Sequence, residues 1–229
     1  MSVPIITVDG PGGAGKGTLC FSLAERLAWH MLDSGALYRV TAHAAELAGL
    51  RCEAVDEAAV AAVAADLKVR FQPAAAGLTR VVLEDTDITD AIRTEACGAL
   101  ASRVAAMPSV RAALLERQRR FASAPGLVAD GRDMGTVVFP QAQLKIFLTA
   151  SAEARARRRQ QQLLLQGESV SLRALLETIE ERDARDRNRS DAPLLPAADA
   201  VLVDSTERSA EEVLDLVLAQ ARNRGLCEP

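Results

Sequence analysis

The 229-residue sequence has only two histidines, His30 and His43, and four cysteines, at 20, 52, 97 and 227. Two isolated histidines make neither a zinc site nor a Ser-His-Asp triad. The cysteines form no CxxC and no close pair, which fits reduced thiols in a cytosolic protein. No uninterrupted apolar run reaches the ~18 residues that a membrane-spanning helix needs. The opening MSVPIITVDG lacks a basic stretch followed by a long apolar one, so no secretory leader is expected. There is no excess of positive charge either: 27 Lys and Arg face 31 Asp and Glu, giving a net charge of -4. That balance argues against a nucleic-acid scaffold while leaving cations for local anion sites. The expectation is a soluble, cytoplasmic, monomeric chain with one sizeable core and at most a small appended module.

What is present is concentrated at residues 3 to 28. VPIITVDG reads as an apolar strand, GGAGKGT as a loop too rich in glycine for either regular element, and LCFSLAERLAWH as a helix with apolar residues at helical spacing. Strand, glycine loop and helix in that order hold phosphate: residues without Cβ turn their N–H groups inward, and the helix adds the positive end of its dipole. Lys16 then supplies a full charge where the β- and γ-phosphates of a triphosphate would lie. Gly10, Pro11, Gly12, Gly13, Ala14, Gly15, Lys16, Gly17 and Thr18 are the candidate donor-binding residues. Gly17 stands where the phosphate-loop pattern has a hydroxyl, and Thr18 follows one place later. Thr18 is a side-chain candidate for Mg²⁺, with Asp130 further along the chain helping to place it, and the ion is otherwise held through nucleotide phosphates and water.

Further along, MLDSGALYR at 31 to 39 reads as a second strand entering a helix that Asp33 or Ser34 can cap. Residues 40 to 64 suit helices. LKVRF at 67 to 71 and TRVVLED at 79 to 85 alternate as strands around the turn signal PAAAG, with TDIT at 86 to 89 as a third. Helix returns over 90 to 122, with Pro108 in a first turn and Arg111 where the dipole disfavours a cation, a mild hint of an anion or polar partner. GLVADGRDMGTVVFP at 126 to 140 delivers Asp130, Arg132 and Asp133 at the carboxyl end of an apolar strand, where open parallel sheets bind ligands, although a structural ion pair is an alternative. LKIFLTA at 144 to 150 is another buried strand, followed by a helix bearing Arg155, Arg157, Arg158 and Arg159, which could equally be a solvated face. In ERDARDRNR, helical spacing places Arg182, Asp186 and Arg189 on one face, either as an exposed ion pair or around a phosphorylated ligand. ADAVLVD is the last strand and 209 to 224 the closing helix, with a loose tail from Gly225 to Pro229.

The GKGT ending resembles nucleoside monophosphate kinases more than switch GTPases, and the NKxD guanine-reading pattern is lacking. DSGALYR and DGRDMGTVVFP narrow this: both are similar to stretches of bacterial-type cytidylate kinases, and the resemblance covers nearly the whole chain. It implies an α/β, three-layer phosphate-loop kinase with a mainly parallel five-stranded sheet and a small antiparallel β insert. The domain is expected to span 1-229, with core 1-49, 109-150 and 169-229, an acceptor-binding insert at about 50-108 and a lid at about 151-168. The implied reaction is phosphorylation of CMP and dCMP by ATP with Mg²⁺. Lys16, Arg132, Arg189 and Asp130 take the catalytic roles, and Arg155, Arg158 and Arg159 close over the donor phosphates. Ser34 and Arg39 meet the acceptor phosphate region, Arg182 and Asp186 the ribose, and Ser102, Arg111 and Asp133 the cytosine. A kinase for UMP or AMP, or a regulatory ATP-binding module, would share the phosphate loop but not this base reader.

Overall fold

β1 (Ile5–Asp9) is a run of apolar and β-branched residues closed by an aspartate, and it is buried over nearly all its length. A strand covered on both faces reads as such a run in a parallel sheet. In the computed structural model, which describes residues 3–50, 56–73, 79–165 and 167–228, β1 lies at the centre of a five-stranded sheet. The strand order is β2 (His30–Asp33), β6 (Leu127–Gly131), β1, β7 (Leu144–Thr149), β8 (Val201–Asp204). The pairs β1–β6, β1–β7 and β7–β8 are parallel, so the carboxyl ends of these four strands share one edge. The mainly parallel α/β sheet expected from the alternation of strand and helix is present.

The chain divides into two compact units. The first joins Met1–Leu32 to Phe121–Pro229, and the second is Asp33–Arg120. The first unit's main core packs Ile6, Val8, Val128, Leu144, Ile146 and Leu148 of the sheet against Leu19 and Leu23 of α1 (Lys16–Leu27) and Val213 and Val217 of α8 (Ala210–Arg222). A smaller cluster ties α6 (Ala152–Leu165) to α7 (Leu172–Arg187) through Ala156, Leu163 and Leu175. α8 opens with a capping box: Ser209 and Glu212 each accept the other's backbone N–H.

The second unit holds α2 (Ser34–Leu47), α3 (Glu57–Ala65), α4 (Glu95–Val104) and α5 (Pro108–Arg119), packed around Val40, Val60, Val104 and Leu114. Its three-stranded antiparallel sheet is β3 (Val69–Pro73), β4 (Thr79–Leu83) and β5 (Thr86–Asp87), the insert expected from alternation. Most of the PAAAG turn signal lies outside the described residues, as does Cys52. Among the described residues Cys20, Cys97 and Cys227 form no disulfide. The tail departs from the loose end expected: the Leu226 N–H donates to Ala221 O at 3.0 Å, and Leu226 and Cys227 pack on the first core. Their apolar side chains find a surface that a local pattern does not reveal. Among the described residues no helix is long and apolar enough to cross a membrane.

Candidate active site

In the first unit the strand register brings the informative residues to one edge. Val8 lies opposite Asp130, and Asp9 opposite Gly131 on one side and Phe147 on the other. Asp130 is therefore in strand β6 itself, not in the loop after it. The phosphate loop leaves β1 at Gly10, whose φ is +148° and where a Cβ would stand 1.9 Å from Leu148 O. No side chain fits there. Gly15, at φ +98°, is the N-cap of α1 and supplies no capping side chain, and the first turn carries no acid. The positive end of α1 is thus left to whatever the loop encloses.

Three loop carbonyls are held by protein donors. Lys16 Nζ donates to Pro11 O at 2.9 Å, Arg155 Nη1 to Gly12 O at 3.1 Å and Ser205 Oγ to Ala14 O at 2.9 Å. Lys16 is buried, with Nζ 3.9 Å from Asp130 Oδ1. Burial first, and then the charge of Arg132, lowers its pKa to about 8.

Over this loop sit the arginines. Arg132 Nε donates to Asp186 Oδ2 at 2.9 Å, and Arg189 donates to the other oxygen of the same carboxylate. Asp186 is 1% exposed, which removes the exposed ion-pair reading. Burial alone would raise its pKa, but Arg132 and Arg189 outweigh burial and hold it below the usual carboxylate range. Burial likewise opposes the charge on Arg132, and Asp186 overcomes it, pushing that pKa up. A Cβ on Gly12 would meet guanidinium atoms of both Arg132 and Arg182 at 3.5 Å, so these side chains converge on the phosphate loop. Arg189 Nε is buried with no hydrogen-bond partner. A desolvated cationic donor of this kind fits an anionic acceptor.

The protein-family model described as cytidylate kinase matches residues 6–223. Cytidylate kinases of Marinomonas sp., Aeromonas hydrophila and Edwardsiella ictaluri are 53%, 58% and 59% identical, and the alignments span 97%, 96% and 96% of this chain and 97%, 95% and 96% of the relatives. The chain belongs to the cytidylate kinase family. Resemblance to this family assigned site roles residue by residue, and the structure gives each of those residues a setting.

Asp133 is buried and begins a single wide helical turn, Met134–Val138, in which its carbonyl accepts from Val137 N at 2.9 Å and Val138 N at 3.2 Å. That turn is fastened by Asp9, whose two oxygens accept the N–H groups of Met134 and Gly135, each at 2.8 Å. Burial, offset in part by those bonds, raises the Asp9 pKa to about 7. Arg189 lies beyond α7, which ends at Arg187 with Asn188 as its cap, so helical spacing correctly pairs it with Asp186 but not by a shared helix face. Arg155 and Arg158 are held by protein acceptors. Arg155 is buried on Asp183, Gly12 and Ala150, while Arg158 donates to Ser205 Oγ at 3.2 Å and to Ser205 O. Arg159 bonds Gln162 at 3.3 Å, one turn on, and Arg157 is exposed.

In the second unit Asp33, not Ser34, caps α2, accepting from Ala36 N at 3.0 Å; Ser34 is its buried first residue. Arg39 Nη1 donates to Ile92 O at 2.7 Å and Thr94 O at 3.1 Å. Its guanidinium crosses Gly98, where a Cβ would come within 2.8 Å of Nη2. Ser102 on α4 and Arg111 on α5 are both buried, and Arg111 Nη1 reaches Tyr38 Oη at 3.4 Å. Sequence reasoning missed Asp9, Asp183 and Ser205, whose partners lie 125, 28 and 191 residues away. Only Asp9, adjoining Gly10 at a strand end, carried a local signal.

Among the described residues no group of three His, Cys, Asp or Glu could hold a metal ion by itself. The residues that fit Mg²⁺ with a nucleotide are Thr18, in the exposed first turn of α1, and Asp130, whose Oδ2 would lie 3.8 Å from a Cβ on Gly17.

Proposed function

We propose that this chain transfers the γ-phosphoryl group of ATP to the phosphate of CMP and dCMP, giving CDP and dCDP. The convergence of Arg132 and Arg182 on Gly12 of the phosphate loop, with Arg189 sharing Asp186, is the observation that carries this reading. The acceptor is a phosphate monoester with a second pKa of ~6, already an anionic nucleophile at neutral pH. No general base is needed. The obstacle is the repulsion between two polyanions, so catalysis is positioning plus electrostatic stabilisation, which an arginine-rich, histidine-poor site supplies.

Lys16 and the loop N–H groups hold the donor. Arg132 and Arg189 neutralise the group in flight, and Asp186 keeps both guanidiniums oriented from one side. Each Asp186 oxygen retains accepting capacity, so Arg182 and Asp186 can also meet the ribose hydroxyls. Ser34 and Arg39 serve the acceptor phosphate; Asp133, Ser102 and Arg111 read the cytosine. Thr18 and Asp130, with water, would hold Mg²⁺, which would supply charge neutralisation to the donor phosphates. Residues of about 50-108 act as the acceptor insert and about 151-168 as a lid, in a monomer working in the cytoplasm where its nucleotides are. Steady-state phosphoryl transfer from ATP across CMP, dCMP, UMP and AMP tests this. CMP and dCMP should be used far better than the other two, and equal use of UMP or AMP would overturn the assignment.

A further inference from the structure

Arg155 belongs to a set of arginines that family resemblance places over the donor phosphates. We infer instead that Arg155 is a positioning residue: it sets the shape of the phosphate loop by holding the Gly12 carbonyl, and Asp183 holds Arg155 in turn. The inference rests on the ATP-binding role proposed for the loop.

A guanidinium has five N–H donors. Arg155 spends Nε on Ala150 O at 3.0 Å, Nη1 on Gly12 O at 3.1 Å and Asp183 Oδ1 at 3.1 Å, and Nη2 on Asp183 Oδ2 at 2.6 Å. Arg155 is 4% and Asp183 3% exposed. Reaching a phosphate would mean breaking a two-point bond to a buried carboxylate. Among the described residues Asp183 would then keep only Arg187, at 3.6 Å and largely exposed. Buried pairs tolerate the loss of one partner poorly.

The contact also has a direction. The Arg155 stem packs on the loop, because a Cβ at Gly13 would lie 3.3 Å from Arg155 Cβ. Occupying the Gly12 carbonyl from this side fixes the peptide that follows, and so the aim of the Gly13 N–H. Asp183 lies on α7 between Arg182 and Asp186, so the same bond ties the phosphate loop to the helix that bears Arg182 and the carboxylate shared by Arg132 and Arg189. The strut joins the loop that holds the donor to the groups that meet the group in flight.

The test compares Arg155→Met, Arg155→Lys, Asp183→Asn and the double variant Arg155→Met/Asp183→Asn, reading ATP affinity by titration, KM for ATP and for CMP, and melting temperature. Asn keeps the size of Asp183 but turns an N–H toward the guanidinium, and Lys cannot make the two-point contact. Each single variant should weaken ATP binding and raise KM for ATP by about tenfold, with KM for CMP unchanged, and the double variant should be no worse than either single one, because one strut is lost in each case. If Asp183→Asn binds ATP like the parent while Arg155→Met loses it by ~100-fold, Arg155 touches the phosphates directly and the inference fails. It fails too if melting temperature falls but ATP affinity does not move. Should Arg155→Met not fold, Arg155→Lys and Asp183→Asn decide by the same readings. An unmodified chain that binds ATP but does not phosphorylate CMP would sink the functional reading and leave this one standing.

Discussion

Lys16 carries two opposed dependences on pH. Its pKa is lowered from 10.5 to about 8 in the folded chain, chiefly by burial. Between those values the unfolded chain binds more protons, so the lysine's own contribution to stability rises with pH across that window. ATP binding has the opposite trend, because the free protein loses the charge that meets the phosphates. kcat/KM for ATP should therefore fall above about pH 8, while kcat holds to higher pH, since bound triphosphate favours the charged form. A pH profile that is flat in kcat/KM to pH 10 would contradict this. Lys16→Ala should lose ~10³-fold or more in turnover while its melting curve stays cooperative, because glycine conformations and carbonyl contacts, not the lysine alone, shape the loop.

Asp133 makes a separate test of base choice at the same scale. Cytosine offers an N4 amino donor where uracil offers an O4 acceptor. A buried carboxylate facing O4 gives that oxygen no donor, at a cost of ~1–3 kcal/mol, or roughly ten- to a hundredfold in kcat/KM. Asp133→Ala should damage CMP use far more than UMP use and narrow their ratio. Equal losses on both substrates would make Asp133 a holder of its loop instead.

At the scale of elements, the site is a meeting of strand ends, and the glycines and carboxylates at those ends determine whether it forms. Gly10→Ala would force a Cβ into Leu148 O on the neighbouring strand β7, at a backbone φ that L-residues rarely adopt. The variant should lose ~3 kcal/mol or more of stability, seen as a lowered midpoint in urea. Asp186→Ala removes the carboxylate that Arg132 and Arg189 share, leaving two largely buried guanidiniums without it. Breaking a buried pair from one side costs ~3–5 kcal/mol, so this variant should lose stability as well as turnover. Arg189→Met should lose turnover with a smaller drop in melting temperature, since Asp186 retains Arg132. If the two variants melted alike, the shared carboxylate would not be organising the arginines.

For the whole molecule, the net charge of -4 says nothing of where the cations stand: Lys16, Arg132, Arg182 and Arg189 belong to one unit, beside Asp130 and Asp186. Ligands that bind only the folded chain stabilise it by mass action, about 2.7 kcal/mol at 100 times Kd. For a chain of this size that corresponds to roughly 5–10 °C in melting temperature. ATP and CMP should each produce such a shift, and UMP at the same concentration a much smaller one. A CMP shift no larger than that of UMP would count against cytosine recognition.

The local order of the chain was legible because its causes are local. β-branched runs made the strands, Asp33 stood ready as a helix cap, and alternation around a turn signal made the small antiparallel sheet. Glycine spacing followed by Lys16 announced a phosphate loop, since only residues lacking Cβ take its conformations. DGRDMGTVVFP marked a second functional edge, although not its wide helical turn, which depends on Asp9 from another strand. What the chain alone left open were long-range partners. An arginine-rich helix is the same pattern whether solvated, aimed at phosphate or buried, and only packing against α7 and the phosphate loop buried Arg155 on Asp183. Likewise, spacing paired Arg189 with Asp186, but the second arginine on that carboxylate is Arg132, 54 residues earlier than Asp186. Propensity and spacing act over a few residues, whereas desolvation and charge pairing depend on what the fold brings alongside.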